Sequence, residues 1–156
     1  MPAPTPSAKD LDLDTAARLR ASIGKLSRRL RPTAAGAAAG LTPTRISVLF
    51  TIARLGPIRL SELAEEEGLN PTMLSRVIAD FAESGLLTRV SDPDDRRAAV
   101  VQITAAGRKL CERMRAERTD VLEIALASLE PKDRRAVEQA LPVLERLAHG
   151  LKGRRG

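Results

Sequence analysis

A set of polar and cationic side chains lies at the start of a predicted helix. Asn70 can accept hydrogen bonds from the free amides of the first turn, and Pro71 suits the first helical position, where no donor is needed. Apolar residues then repeat at helical spacing and are predicted to face a core: Leu74, Val77, Ile78 and Phe81. The outer front edge of this helix consists of Pro71, Thr72, Met73, Ser75 and Arg76. Hydroxyls and a guanidinium in such a position can bond to base edges or phosphates, so we predict that these five residues contact duplex DNA, with a core role as the alternative for Met73.

A second charged set occupies a predicted turn further along the chain. Asp92, Asp94 and Asp95 are followed at once by Arg96 and Arg97. We predict that one arginine enters a narrow minor groove, which concentrates negative potential, while an aspartate braces the other arginine and fixes the loop. The alternative is a solvated turn that is held by its own aspartate side chains.

The elements that would position both sets follow the order of a winged helix-turn-helix. A short helix is predicted over 61–67 and ends at Gly68, and Gly85 ends the helix that begins at Pro71. Strands predicted over 86–90 and 98–103 flank the charged turn and form a hairpin, the wing. We therefore predict a mainly α protein with a small β-hairpin (α+β), in which one helix enters the major groove and the wing reaches the minor groove.

Six sequence motifs, in this order, resemble the MarR family of bacterial transcription regulators. They are Leu41-Thr42-Pro43, Leu60-Ser61-Glu62-Leu63-Ala64, Asn70-Pro71, Gly85-Leu86-Leu87, Asp95-Arg96-Arg97 and Ile103-Thr104-Ala105-Ala106-Gly107. The resemblance implies a homodimeric, mostly helical protein that binds pseudo-palindromic double-stranded DNA. It also implies release of the DNA when a small, often phenolic or otherwise aromatic, ligand occupies a crevice beside the DNA-binding lobe.

Three residues depart from the family pattern. Arg59 stands where the family usually has a capping threonine, so we expect the capping box with Glu62 to be lost, Ser61 to cap instead and the helix to start late. Asp80 stands where a basic residue is common and would place a negative charge near the phosphates. Cys111 follows Thr104 instead of lying in the first helix, so we interpret it as a small buried hydrophobe rather than an oxidant sensor.

Helices predicted on either side of the lobe have narrow apolar seams. In the N-terminal helix, residues 10–31, the seam is Ala16, Leu19, Ile23, Leu26 and Leu30, and region 104–150 contains two further helices. Because paired recognition helices need a two-fold axis, we predict that these flanking helices form a homodimer; the alternative is a bundle within one chain. The lobe, 42–103, follows a predicted flexible joint over 32–41, and the ends are predicted to be a disordered tail, 1–9, and a basic tail, 151–156.

Composition narrows the classes of function. The net charge is +6, but residues 45–103 contain seven basic and nine acidic side chains, so attraction to phosphates must come from locally placed arginines. With no Trp, no Tyr and two Phe, the chain lacks a stacking surface for single-stranded nucleic acid. One cysteine, one histidine and no phosphate-binding glycine loop argue against a metal site, a cofactor and catalysis. No apolar run suits a membrane span or a signal peptide, so we expect a cytoplasmic protein.

Together these features predict a homodimeric, sequence-specific, double-stranded DNA-binding regulator, in particular a repressor that a small ligand releases. The scarcity of aromatic residues predicts a ligand pocket with aliphatic walls and arginine. The alternative is a winged-helix module that docks protein without specific DNA binding, which the acidic balance of the lobe favours.

Overall fold

The computed structural model describes residues 8–91 and 99–151. Its helices are α1 (Ala8–Leu30), α2 (Ala34–Ala38), α3 (Pro43–Leu55), α4 (Leu60–Glu67), α5 (Pro71–Glu83), α6 (Ala105–Ala127) and α7 (Pro131–Gly150). Its strands are β1 (Ile58–Arg59), β2 (Leu87–Ser91) and β3 (Ala99–Ile103). The chain divides into two compact units, Met1–Arg118 and Thr119–Gly156, with the boundary inside α6. The predicted fold class, mainly α with a small β element, is confirmed.

The turn of the helix-turn-helix joins α4 to α5 through Gly68. This residue has a φ of 63° and ends α4 in the left-handed conformation, where a Cβ is unfavourable. Asn70 then caps α5, because its side-chain oxygen accepts a hydrogen bond from the Thr72 amide at 2.8 Å. Pro71 occupies the first position of the new helix, as predicted.

The start of α4 corrects one prediction. The helix begins at Leu60 with Arg59 as its N-cap, so it does not start late, and Ser61 lies inside the first turn. An arginine side chain offers no acceptor to the helix amides. The Glu62 carboxylate nevertheless accepts a hydrogen bond from the Arg59 backbone amide at 3.3 Å, which preserves one half of the capping box.

The wing belongs to a three-stranded antiparallel sheet in the order β1-β3-β2. Leu87 pairs with Ile103 and Ser91 with Ala99, while Ile58 of β1 pairs with Val101. The sequence predicts the hairpin but not β1, because a strand of two residues is too short to show any alternation.

Thr104 connects the sheet to α6. Its hydroxyl donates to the Gly85 carbonyl at 2.7 Å and accepts from the Gly107 amide at 3.1 Å, so it caps α6 as predicted. A Cβ on Gly107 would lie 2.3 Å from the Leu86 carbonyl oxygen. The chain therefore needs glycine at this position, because the helix passes so close to the backbone just before β2.

The core of the first unit lies between α3, α4, α5, the sheet and the first turns of α6. Its largest fully buried side chains are Phe81, Leu49, Ile52, Leu63, Leu74, Ile78, Met114, Val48, Val101 and Cys111. The four apolar positions predicted to face inwards from α5 are all buried. Helix α5 is therefore held against the core from Leu74 to Phe81.

The segment predicted as a flexible joint, 32–41, is partly helical. Thr33 is buried and caps α2 by accepting a hydrogen bond from the Gly36 amide at 3.1 Å. The Glu117 carboxylate accepts a second hydrogen bond, from the Ala35 amide at 3.0 Å. An Ala/Gly-rich composition predicts flexibility, whereas Thr33 caps the short helix and Glu117 fixes it against α6.

The second unit contains the end of α6 and all of α7. Arg134 donates hydrogen bonds to the carbonyls of Leu126 and Ala127, at 3.3 and 3.1 Å. These two carbonyls at the C-terminal end of α6 thereby gain hydrogen-bond partners. Every residue of α7 is described and none of them is buried; the helix also continues through Pro142.

Within residues 8–91 and 99–151, no helix is both long and apolar enough to cross a membrane.

The ends of the chain differ slightly from the predicted boundaries. Helix α1 begins at Ala8, so it includes two residues that the sequence places in the tail. Its exposed apolar side chains include Ile23 and Leu26, both of which belong to the predicted seam. The rest of the two predicted tails, 1–7 and 152–156, lies outside the described residues.

Candidate nucleic-acid interface

The front edge of α5 faces solvent. Pro71, Thr72, Met73 and Arg76 are exposed, and Ser75 is half-buried. The sequence left two roles open for Met73, and its exposed fraction of 46% places it on the surface rather than in the core. Four of the five predicted contact residues are therefore exposed, and all five lie outside the buried apolar stripe of α5.

A shallow depression of about 490 Å³ lies beside this front edge. Its lining residues come from the beginnings of two helices, α3 and α5: Thr42, Thr44, Arg45, Asn70, Thr72, Met73, Arg76 and Val77. Thr42 caps α3 by accepting from the Arg45 amide at 3.4 Å. Two capped helix N-termini and two arginines therefore border one surface, and the helix N-termini favour anionic groups such as phosphates.

Sequence reasoning missed the contribution of α3 to this surface. The signal was present, since Thr42-Pro43 begins a helix and Arg45 lies in its first turn. Only packing shows that this turn borders the recognition helix.

Asp80 is paired rather than isolated. Its carboxylate forms an ion pair with the Arg45 guanidinium, with both side chains partly buried. From the sequence alone, Asp80 is expected to be a negative charge near the phosphates. The structure shows that Arg45, 35 residues earlier in the chain, compensates this charge.

The predicted wing contacts lie outside the described residues. This applies to Asp92, Asp94, Asp95, Arg96 and Arg97, and their roles stay predictions. The described part of the wing places Thr88 and Arg89 on an exposed part of β2.

The acidic run in α4 joins that helix to α3. The Thr51 hydroxyl donates a hydrogen bond to the Glu67 carboxylate, and Arg54 pairs with Glu66 at 2.7 Å. Among the described residues, no group of three or more potential ligands is arranged to bind a metal ion. These acids therefore brace the first helix of the motif against α3.

A larger crevice, of about 920 Å³, lies on the other side of α3. Its walls come from the end of α1, from α2, α3 and α6, and include Leu30, Thr33, Leu41, Ile46, Phe50 and Leu69. The guanidinium carbons of Arg115 and Arg118 each lie 5.0 Å from the centre of the Phe50 ring. Nε of Arg118 is buried, and no hydrogen-bond acceptor in the described part of the chain faces it. The crevice thus combines aliphatic side chains and one aromatic ring with four arginines, Arg31, Arg54, Arg115 and Arg118, and the carboxylate of Glu67.

Cys111 lies in the core of the same unit. Its side chain is 1% exposed, which agrees with its interpretation as a small buried hydrophobe. Burial raises the pKa of the thiol, although the nearby Arg115 and Arg108 act in the opposite direction. The raised pKa makes the thiolate scarce at neutral pH, so the residue is poorly suited to redox chemistry.

Comparison with known proteins agrees with this architecture. A family model described as MarR family matches residues 41–99. An uncharacterized HTH-type transcriptional regulator of Mycobacterium bovis, Mb0904, is 30% identical over 135 residues, which is 86% of this chain and 93% of that protein.

Two solved structures share the fold. The transcriptional regulator Tm0710 of Thermotoga maritima has a TM-score of 0.78 at 23% identity, with 92% of this chain and 99% of that chain covered. A MepR mutant of S. aureus, bound to an oligodeoxyribonucleotide, has a TM-score of 0.62 at 14% identity, with 88% and 97% covered.

The mycobacterial protein and Tm0710 are both named as transcriptional regulators. The family model matches most of the helix-turn-helix lobe, and the mycobacterial relative extends the match to most of the chain. The chain belongs to the MarR family of winged helix-turn-helix, DNA-binding transcriptional regulators.

Proposed function

We propose that this regulator is a homodimeric repressor that reads a pseudo-palindromic operator and is released by a small aromatic anion. One observation carries the DNA-reading part of the proposal. The front edge of α5 exposes Thr72, Met73 and Arg76, while the opposite stripe of the helix is buried in the core. A helix held in this way can enter the major groove without losing its support.

The side chains on that edge suit direct contact with bases. Arg76 can donate two hydrogen bonds to a guanine or can bind a phosphate, and the hydroxyls of Thr72 and Ser75 can bond to either. Met73 offers an apolar surface for a thymine methyl group. Arg96 or Arg97 of the wing is expected to reach the minor groove, with Asp92, Asp94 or Asp95 bracing the loop.

Exposed apolar residues on the terminal helices support the homodimer. Ile23 and Leu26 of α1 are more than half exposed, and Leu141, Leu144 and Leu147 of α7 are also exposed. Apolar side chains repeated along a helix face are stable in water only when another surface covers them. A second copy of the chain would provide that surface and would also pair the two recognition helices.

The crevice beside α3 supports an effector with an aromatic ring and an acid group. The cations of Arg115 and Arg118 can bind a carboxylate, and the aliphatic walls with Phe50 can hold a ring. Thr44 of α3 lines both this crevice and the depression beside α5. We propose that an effector displaces α3 and thereby moves the surface that α3 shares with the recognition helix.

Fluorescence anisotropy tests the DNA-binding part of this proposal. Labelled duplexes from the gene's own upstream region should bind more tightly than scrambled duplexes, with half-sites about 10 base pairs apart. Arg76→Ala should weaken binding to the preferred duplex by about 1 to 3 kcal/mol and relax its specificity. The matched control is Arg113→Ala, on an exposed position of α6 that lines neither cavity, and it should bind as the wild type does.

The same titration addresses the protein-docking alternative. That alternative is favoured by the acidic balance of residues 45–103, with seven basic and nine acidic side chains. At each of two salt concentrations, a docking module would bind all duplexes weakly and with equal affinity. Equal binding would reject specific regulation by this chain.

Isothermal calorimetry with salicylate tests the effector. We expect saturable binding to the wild type and weaker binding to Arg118→Gln, with DNA affinity in the absence of salicylate unchanged. No heat from salicylate or from other aromatic acids would count against this part of the proposal alone.

A further inference from the structure

We infer that Arg45 is a positioning residue for DNA binding: by holding Asp80, it keeps Arg76 available to the DNA. The inference rests on the proposed DNA-binding role of α5. It assigns to α3 a part in recognition that does not require α3 to contact DNA.

The ion pair joins two helices at the border of the DNA-facing surface. Arg45 lies in the first turn of α3, and Asp80 lies in the third turn of α5. The side chains are 32% and 46% exposed, so the pair is partly shielded from water but not buried. Arg45 also lines the depression that Arg76 lines. One carboxylate and two guanidinium groups therefore lie in one small region.

Asp80 has a second possible partner on its own helix. Arg76 precedes it by four residues, and side chains with this spacing are neighbours on the surface of a helix. The structure pairs Asp80 with Arg45, while Arg76 is exposed and has no ion pair with any described residue. Arg45 thus occupies the carboxylate that would otherwise attract the proposed base-reading group.

Removing Arg45 would have two consequences for DNA binding. Asp80 would become an uncompensated negative charge close to the phosphates, and Asp80 would compete with DNA for Arg76. Both effects originate at Asp80. If the inference is correct, neutralising Asp80 should therefore cancel the harm done by losing Arg45.

A competing explanation is that Arg45 binds a phosphate directly. In that case the loss of Arg45 could not be repaired at Asp80. It would also lower the slope of log affinity against log salt concentration by about 0.9. A double-mutant cycle on full-length protein separates the two explanations.

The variants are Arg45→Gln, Asp80→Asn and the double substitution, measured by anisotropy against the duplex preferred by the wild type and a scrambled duplex. We expect Arg45→Gln to lose about tenfold in affinity for the preferred duplex, with an unchanged salt slope. The double variant should return to within about twofold of the wild type. Arg45→Lys, which keeps the charge, should retain most of the affinity.

A third substitution gives an independent readout. Arg76→Gln should weaken binding strongly in the wild-type background, but much less in the Arg45→Gln background, where Asp80 already holds Arg76. Thermal unfolding of each variant checks that the fold is kept, and both sites are partly exposed, so we expect small shifts.

The results that would overturn the inference are distinct from those that would overturn the proposed function. A double variant as weak as Arg45→Gln, with a lowered salt slope, assigns Arg45 to a phosphate and overturns the inference alone. Equal costs of Arg76→Gln in both backgrounds would also overturn it alone. A wild type with no preference among duplexes overturns the proposed function, and the inference with it.

Discussion

The two amphipathic helices α5 and α7 differ in what covers their apolar side chains. In α5, four apolar residues are buried against the lobe, whereas none of the residues of α7 is buried. The first unit therefore contains a core that one chain can complete. The apolar face of α7 lacks such cover within its own unit, and an assembly of chains would be needed to provide it.

Leu→Ala substitutions in the two helices measure this difference directly, and the largest effect is expected in α5. Leu74 is fully buried, so Leu74→Ala should lower the free energy of unfolding by about 2 to 5 kcal/mol through lost burial and a cavity. Denaturant titration at two protein concentrations should give the same loss. Leu144→Ala, at a position that is 38% exposed, is the matched comparison and should cost much less in dilute protein. An equal cost at the two positions would mean that α7 is also packed within one chain.

A charge on the apolar face of α7 should weaken the association of two chains. We expect Leu144→Glu to raise the dissociation constant of the proposed homodimer at least about tenfold, because a carboxylate would be buried without a partner. Sedimentation velocity over a range of concentrations measures the change. Gln139→Glu adds the same charge to an exposed position on another side of the helix and should leave the dimer intact. A wild type that is monomeric throughout would reject the homodimer.

The smallest expected effect concerns Cys111, which the core of the first unit covers. Burial raises the pKa of its thiol above that of the unfolded chain, so at alkaline pH the folded state binds more protons than the unfolded state. Stability should therefore fall as the pH rises above about 8.5, by at most about 1.4 kcal/mol per pH unit from this group. Urea titrations from pH 7 to 10 should show a flatter profile for Cys111→Ala. Identical slopes for the two proteins would show that the pKa of the thiol is the same in the folded and unfolded states. The core around Cys111 would then be more accessible to water than the structure indicates.

Local signals made much of the fold predictable. Asn70-Pro71, Gly68 and Thr104 act within a few residues of themselves, so the start of α5, the end of α4 and the start of α6 can be derived from neighbouring residues. The buried stripe of α5 follows in the same way from its periodicity. The sequence-based prediction was wrong where a hydrogen-bond partner is distant in the sequence. Helix α2, predicted as part of a flexible joint, is held by Glu117, which lies 82 residues from Ala35.

The features of the candidate site also fall into two groups, those that follow from neighbouring residues and those that depend on distant ones. The sequence by itself determined which side chains of α5 face outwards, because helical geometry alone separates Arg76 from Leu74. Only the tertiary structure decided that Asp80 pairs with Arg45 and that two guanidiniums flank Phe50. Such contacts join different helices, and their partners are chosen by how the helices pack, which no local pattern of residues specifies.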